Sequence, residues 1–257
     1  MFATEHLLAI GIVGFYLYDS AKLCFYNELY IEKGFRQKFH FQTLSNQFSL
    51  SKKFLMLPNP LCPQYLCFKT RWQIKTLALE PAELEHDVAN IKQISQILQP
   101  LQYNIFFNAL LTLVLLPMAL LLNLGYLLLA ILIISIYTLN LFNICWIFFQ
   151  RKSLTLSKSK MLHLIGDALF CPPFALNLLQ KISLYSEFKS DAISLSQQLL
   201  PPARFQQLLE QIIDDLELLK NAAEIHSEQF QLFELKQNEL NRLLQTHLSE
   251  HPELSTS

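Results

Sequence analysis

Glycine is scarce in this chain: five residues in 257, at positions 11, 14, 34, 125 and 166. Neither a G-x-G-x-x-G turn nor a G-x-x-x-x-G-K-[ST] loop can be written with them. The backbone cradles that hold nucleotide phosphates are thereby excluded. Charge is scarce too, at 16% of residues against about 25% in an ordinary soluble domain. A basic excess is missing. Twenty Lys and Arg face twenty-one Asp and Glu, for a net charge of −1, so no nucleic-acid partner is expected. The five cysteines (24, 62, 67, 145 and 171) form no C-x-x-C pair. A zinc site needs four converging ligands, and free thiols are the expected state.

The most consequential absence is local. Residues 93–150 contain no Asp, Glu, Lys, Arg or His. A membrane span needs about 20 apolar residues to cross roughly 30 Å of hydrocarbon. As one helix, Ile105 to Phe149 would reach about 68 Å at ~1.5 Å per residue, so it must fold back. Asn123-Leu124-Gly125 is the turn-competent triplet in its middle. Two spans are expected, 105–122 and 126–149, with Pro117 kinking the first. His6 to Tyr26 is expected to be a third, about 31 Å long. It lacks the basic start and the small-residue cleavage site of a removable signal. No breaker follows before Gly34, so the same helix is expected to run on through Lys33.

Loop charge suggests the topology. Nine Lys and Arg lie in 28–103, ten lie beyond 150, and none lies in the 123–125 turn. All the basic segments are cytoplasmic if the N-terminus is outside. The expected fold class is therefore a mainly α membrane protein with three transmembrane helices, N-out and C-in. It carries a small cytoplasmic antiparallel β-sheet and a cytoplasmic α-helical tail. The segments are 1–33 (first span with extension), 34–79 (sheet), 80–104 (amphipathic helix), 105–149 (transmembrane hairpin), 150–200 (interfacial or re-entrant helices) and 201–257 (acidic amphipathic tail).

In the sheet segment, Lys38–Gln42 and Leu66–Lys75 alternate polar and apolar residues, and Gln47–Leu50 and Phe54–Leu57 lie between them as further short strand candidates. The amphipathic helix opens at Glu80-Pro81 and runs toward Pro100. Met161–Leu179 is apolar, but Asp167 and the donor-free Cys171-Pro172-Pro173 argue against a lipid-facing span. In the tail, residues 203–248 lack Gly and Pro and hold eight acids against four bases. Phe205, Leu208, Ile212, Leu216, Phe230, Phe233, Leu240 and Leu244 recur at helical spacing. They are expected to be a partner surface, in a hairpin or a single coiled-coil arm.

Candidate chemistry is sparse. Asp19 and Lys22, three apart, would form an ion pair on one face of the first span or a coupling site. Asn108, Thr112, Thr138, Asn140 and Asn143 would hydrogen-bond between helices. His163 and Asp167, four apart, could pair for acid–base work at the membrane surface. Cys171, Pro172, Pro173 and Asn177 complete the re-entrant candidate. Glu83-x-x-His86 is one half of a di-iron motif without its second copy, and His247 with His251 falls near the chain end. No catalytic set, metal or cofactor is expected.

Tyr18-Asp19-Ser20, Asn27-Glu28, Pro58-Asn59-Pro60-Leu61-x-Pro63, Trp72 and Cys171-Pro172-Pro173 with Asn177 resemble the landmarks of a family of uncharacterised bacterial inner-membrane proteins. The resemblance covers roughly residues 15–185. It implies the bacterial inner membrane, and neither an activity nor a cofactor. The functional expectation is a non-enzymatic scaffold or regulatory subunit that meets lipid and a protein partner, or itself, through the tail. The alternatives are an oligomeric transport component using Asp19 and an enzyme at the cytoplasmic membrane surface.

Overall fold

The computed structural model describes residues 4–35, 38–43, 48–50, 53–56, 59, 61–73, 81–222 and 227–251. Gln47, Leu57, Pro58, Pro60, Lys75 and Glu80, named above, lie outside them.

The architecture is mainly helical with small antiparallel sheets. Helix α1 (Thr4–Ser20) is followed by strands β1 (Lys22–Cys24), β2 (Glu28–Lys33), β3 (Phe39–Gln42), β4 (Phe48–Leu50), β5 (Lys53–Met56) and β6 (Leu66–Arg71). Two three-stranded sheets form, ordered β1-β5-β4 and β3-β2-β6. This corrects the expected helical extension through Lys33. The helix ends where the Ser20 hydroxyl turns back to donate to the Tyr16 carbonyl. Beyond it, Glu28-Leu29-Tyr30-Ile31-Glu32-Lys33 has a period of two. Leu29 and Ile31 join the main core, whereas Tyr30 packs with Cys24, Met56 and Cys67. Ladder pairing on both sides of β2 overrides a local pattern that contains no helix breaker. Gly34 is not a helix cap. A Cβ there would lie 2.7 Å from the Tyr65 ring.

Helix α2 (Pro81–Ala109) continues without interruption through a π-helical turn (Leu110–Leu115) into α3 (Leu116–Leu121). The expected boundary near residue 104 is absent. Pro100 sits inside α2, and in the turn preceding it the Ile97 carbonyl accepts a bond from Trp146 Nε1. Pro117 follows the π turn. Its ring would clash with the carbonyl four residues back in an α-helix, and the wider π turn relieves that contact. The reversal comes where expected: Asn123 and Gly125 both take positive φ, +50° and +94°. Helix α4 (Tyr126–Gln150) then returns.

The stretches Pro81–Leu121 and Tyr126–Gln150 are long and apolar enough to cross a membrane. These are two such helices, not the three expected. Helix α1 has 17 residues, about 25 Å at ~1.5 Å per residue, because its last six expected residues are β1 and the turn after it. Only 33% and 28% of the most apolar windows in the two long helices are buried.

Then come α5 (Lys158–Phe170), α6 (Pro172–Ala175), α7 (Leu178–Leu184), α8 (Ala192–Leu199), α9 (Pro202–Ala222) and α10 (Glu228–Glu250). Helices α9 and α10 fold back on one another, with Lys220 donating to Gln237 and the His247 ring against Phe205. The tail is not a free arm. Phe205, Leu208, Ile212, Leu216, Phe233 and Leu240 are buried in one core with Leu29 and Phe68 of the sheet and Ile91 and Leu98 of α2. Leu244 packs against that core, and Phe230 is half-buried beneath Lys220. The expected partner surface is therefore an internal face. An amphipathic helix buries its apolar stripe on whatever apolar surface it reaches, and here the body supplies one.

Most exposed large apolar side chains lie elsewhere: on α1, on the second half of the α2–α3 stretch and on α4.

Candidate functional site

Where the exposed apolar layer meets the body, three elements bring charge together. Helix α1 delivers Asp19 in its last turn. Helices α5 and α7, joined through Cys171-Pro172-Pro173 and α6, deliver Asp167 and Lys181. Phe174 donates its N–H to the Cys171 carbonyl at 2.8 Å, which closes the reversal between them. The two prolines supply no donor and need none here.

Lys181 Nζ lies 2.9 Å from Asp19 Oδ1 and 2.6 Å from Asp167 Oδ2. Asn177 donates its side-chain amide to Asp19 Oδ2 at 2.9 Å. The Ser20 hydroxyl reaches Asn177 Oδ1 at 3.1 Å. Lys22 does not pair with the Asp19 carboxylate; its ammonium donates to the Asp19 carbonyl. Burial pulls the Lys22 ammonium below its ordinary pKa, with the Asp19 charge opposing. The Lys181 and Asp19 side chains keep only 12% and 14% of their exposure, and Asp167 keeps 35%. Lys181 also sits 5.1 Å from the centre of the Phe174 ring, a cation–π contact. Two carboxylates share one ammonium, and both Asp19 oxygens are engaged.

Its chemistry is that of a clamp. It locks the end of α1 to the α5–α7 pair, and Tyr16, Ala109 and Leu176 pack together beside it. The expected His163–Asp167 pair does not form. His163 is exposed, and Asp167 serves Lys181 of α7 instead. The Cys171 thiol is half-buried. No group of three or more metal-ligating side chains occurs among the described residues.

The interhelical asparagines behave largely as expected. Asn108 donates to Asn140, Asn140 donates to the Ala168 carbonyl at 3.3 Å, and Thr112 contacts Asn108 at 3.4 Å. Asn143 accepts from Asn104 at 2.9 Å. The threonines are the exceptions: Thr112 bonds within its own continuous helix, and so does Thr138. Its hydroxyl bonds back to the Ile134 carbonyl of its own helix, because it points away from α2.

Sequence reasoning missed Lys181 and Asn104. Lys181 left a trace: it is the only cation between Lys160 and Lys189, and two acids in an apolar environment need one. A second buried carboxylate was also missed. The side chain of Glu28 is wholly buried, 2.8 Å from Lys69 and 2.7 Å from Arg71, and it accepts the Phe25 N–H at 3.1 Å. Asn27 and Trp72 exchange hydrogen bonds beside it. Of the short motifs singled out in the sequence, Asp19-Ser20 meets Asn177 and Asn27-Glu28 lies with Trp72.

Comparison of the chain with protein-family models, with curated proteins and with solved structures finds no match in any of the three.

Proposed function

We propose that this chain is an integral protein of the bacterial inner membrane that acts as a non-enzymatic scaffold or regulatory subunit of a membrane complex. The carrying observation is the band of exposed Leu, Ile, Val, Phe and Met on α1, on the second half of the α2–α3 stretch and on α4. A soluble core helix buries such residues; lipid leaves them outward. From the 122–125 turn, Leu122 to Asn108 and Tyr126 to Asn140 are each about 21 Å at ~1.5 Å per residue, and Asn108 and Asn140 do meet. In a hydrocarbon layer about 30 Å thick, that pair lies about 9 Å from the far edge. Ala168, bonded to Asn140, shares its depth, so the α5–α7 turn dips into the inner leaflet as a re-entrant pair. Helix α1, packed along the π turn and α3, accompanies the hairpin as a shorter third helix with its N-terminus outside. The Lys and Arg of the body then lie in the cytoplasm, as loop charge favours.

On this reading the Asp19–Lys181–Asp167 clamp makes the embedded helices and the body one rigid piece. A scaffold needs that stiffness, and a charge-saturated carboxylate suits it better than it suits ion coupling. Labelling with a membrane-impermeant maleimide tests the topology. Single cysteines placed at Thr4 and Leu124 should react from outside intact cells, and one at Gln206 only after permeabilisation. Cross-linking in cells followed by solubilisation in mild detergent tests the scaffold role. A discrete higher-mass species containing a second polypeptide or a second copy is expected. A chain that extracts with alkaline carbonate, or that never cross-links, overturns the proposal.

A further inference from the structure

The connection between α4 and α5 combines features that do not occur together elsewhere among the described residues. No Asp or Glu lies anywhere between Asp87 and Asp167, yet Arg151, Lys152, Lys158 and Lys160 fall within ten positions. Lys160 is engaged with the Tyr185 ring and carbonyl. No carboxylate pairs with Arg151, Lys152 or Lys158 among the described ion pairs. The loop is held in shape. Leu154 and Leu156 are buried, their amides bond to Gln150 and Arg151 carbonyls at 3.0 and 3.1 Å, and Thr155 bonds to Lys152 at 3.2 Å. Fixing the two leucines inward turns Lys152, Ser153, Thr155, Ser157, Lys158 and Ser159 outward, all exposed. Cations and hydroxyls are the donors that a phosphate diester accepts from. Directly above, on the side of the apolar layer, Phe148, Phe149 and Leu162 stand exposed at 56%, 82% and 71%.

We infer that this loop and the adjoining faces of α4 and α5 form a binding site for one anionic glycerophospholipid. Its phosphate meets Arg151, Lys152, Lys158 and the loop hydroxyls, and its glycerol and first acyl carbons lie on Phe148, Phe149 and Leu162. The charge supports an anionic headgroup over a zwitterionic one, since three cations stand here with no acid to neutralise them. The apolar wall supports a lipid over a free phosphate. The inference rests on the membrane reading above and goes further, because insertion alone requires no headgroup preference.

The test uses the full chain, purified in a neutral detergent, with phosphatidylglycerol, phosphatidylcholine and glycerol 3-phosphate as separate additives. Insertion into pure phosphatidylcholine vesicles is scored in parallel. Each cation near a phosphate contributes about fivefold in affinity, so phosphatidylglycerol should bind at least tenfold more tightly than phosphatidylcholine. The triple variant Arg151→Gln/Lys152→Gln/Lys158→Gln should reduce that preference to less than about threefold. The variant Lys92→Gln/Arg204→Gln/Arg242→Gln removes the same charge from exposed positions on the body and should keep it. A retained preference in the loop variant, or an equal loss in the body variant, overturns the site. So does glycerol 3-phosphate matching the lipid. Insertion into phosphatidylcholine without any anionic preference overturns this inference alone, whereas failure to insert overturns the membrane reading with it.

Discussion

Replacing Lys181 by Met removes the one cation that Asp19 and Asp167 share. Met preserves most of the side-chain volume and its contact with Phe174. The loss is therefore electrostatic. Removing one partner of a buried ion pair costs about 3–5 kcal/mol, because the remaining charge is left uncompensated. Asp19 keeps the Asn177 amide, and Asp167 retains a third of its exposure, which place the expected cost near the lower end, about 3 kcal/mol. For a chain of this size that is a fall in Tm of roughly 6–12 °C. The assay is thermal unfolding of the purified chain in neutral detergent, followed by the fluorescence of its two tryptophans, Trp72 and Trp146. Asp19→Asn alone leaves Lys181 its bond to Asp167 and should cost about 1 kcal/mol. The double variant should cost about 2 kcal/mol, less than the sum of the two, since the more buried carboxylate is then neutral and only the one-third-exposed Asp167 is left without its cation. Losses that add to within about 0.5 kcal/mol, or a Lys181→Met variant with an unchanged Tm, refute the clamp.

Burial pushes the Glu32 carboxyl from 4.5 up to about 7, so the folded chain holds a proton that the unfolded chain releases. Its contribution is fully present below about pH 4.5 and is lost as pH rises through about 7, worth about 3 kcal/mol in all; Glu32→Gln should flatten the fall in Tm between pH 5 and pH 8. Because Phe205 is 1% exposed, Phe205→Ala should cost about 3–5 kcal/mol, and deletion of 203–248 should yield an aggregated body on gel filtration; a well-folded deletion product would contradict the shared core. Asn140→Leu breaks bonds to Asn108 and Ala168 and should cost about 1–2 kcal/mol, whereas Thr138→Val, which loses only a bond within its own helix, should stay within about 0.5 kcal/mol in the same melting assay.

Much of the helical layout was legible in the chain. A stretch of 58 residues without Asp, Glu, Lys, Arg or His reads as long apolar helix, and the Asn-Leu-Gly triplet is the place where it can reverse. The period-two segments at 39–42 and 66–71 are strands for the reason the alternation gives. Strand β2 was not legible, because six residues with neither Gly nor Pro satisfy either period until a neighbour supplies the hydrogen bonds. Tyr65 likewise carries no mark of the close packing at Gly34.

By itself, the sequence determined where the apolar hairpin turns and where charge is lacking, since these depend on local composition alone. Only the tertiary structure decided the partners. It matched Asp19 with Lys181 across 162 positions, sent His163 outward, and directed the tail's apolar stripe into the body. Such pairings depend on which surfaces meet after the chain folds back, and distance along the sequence carries no record of that.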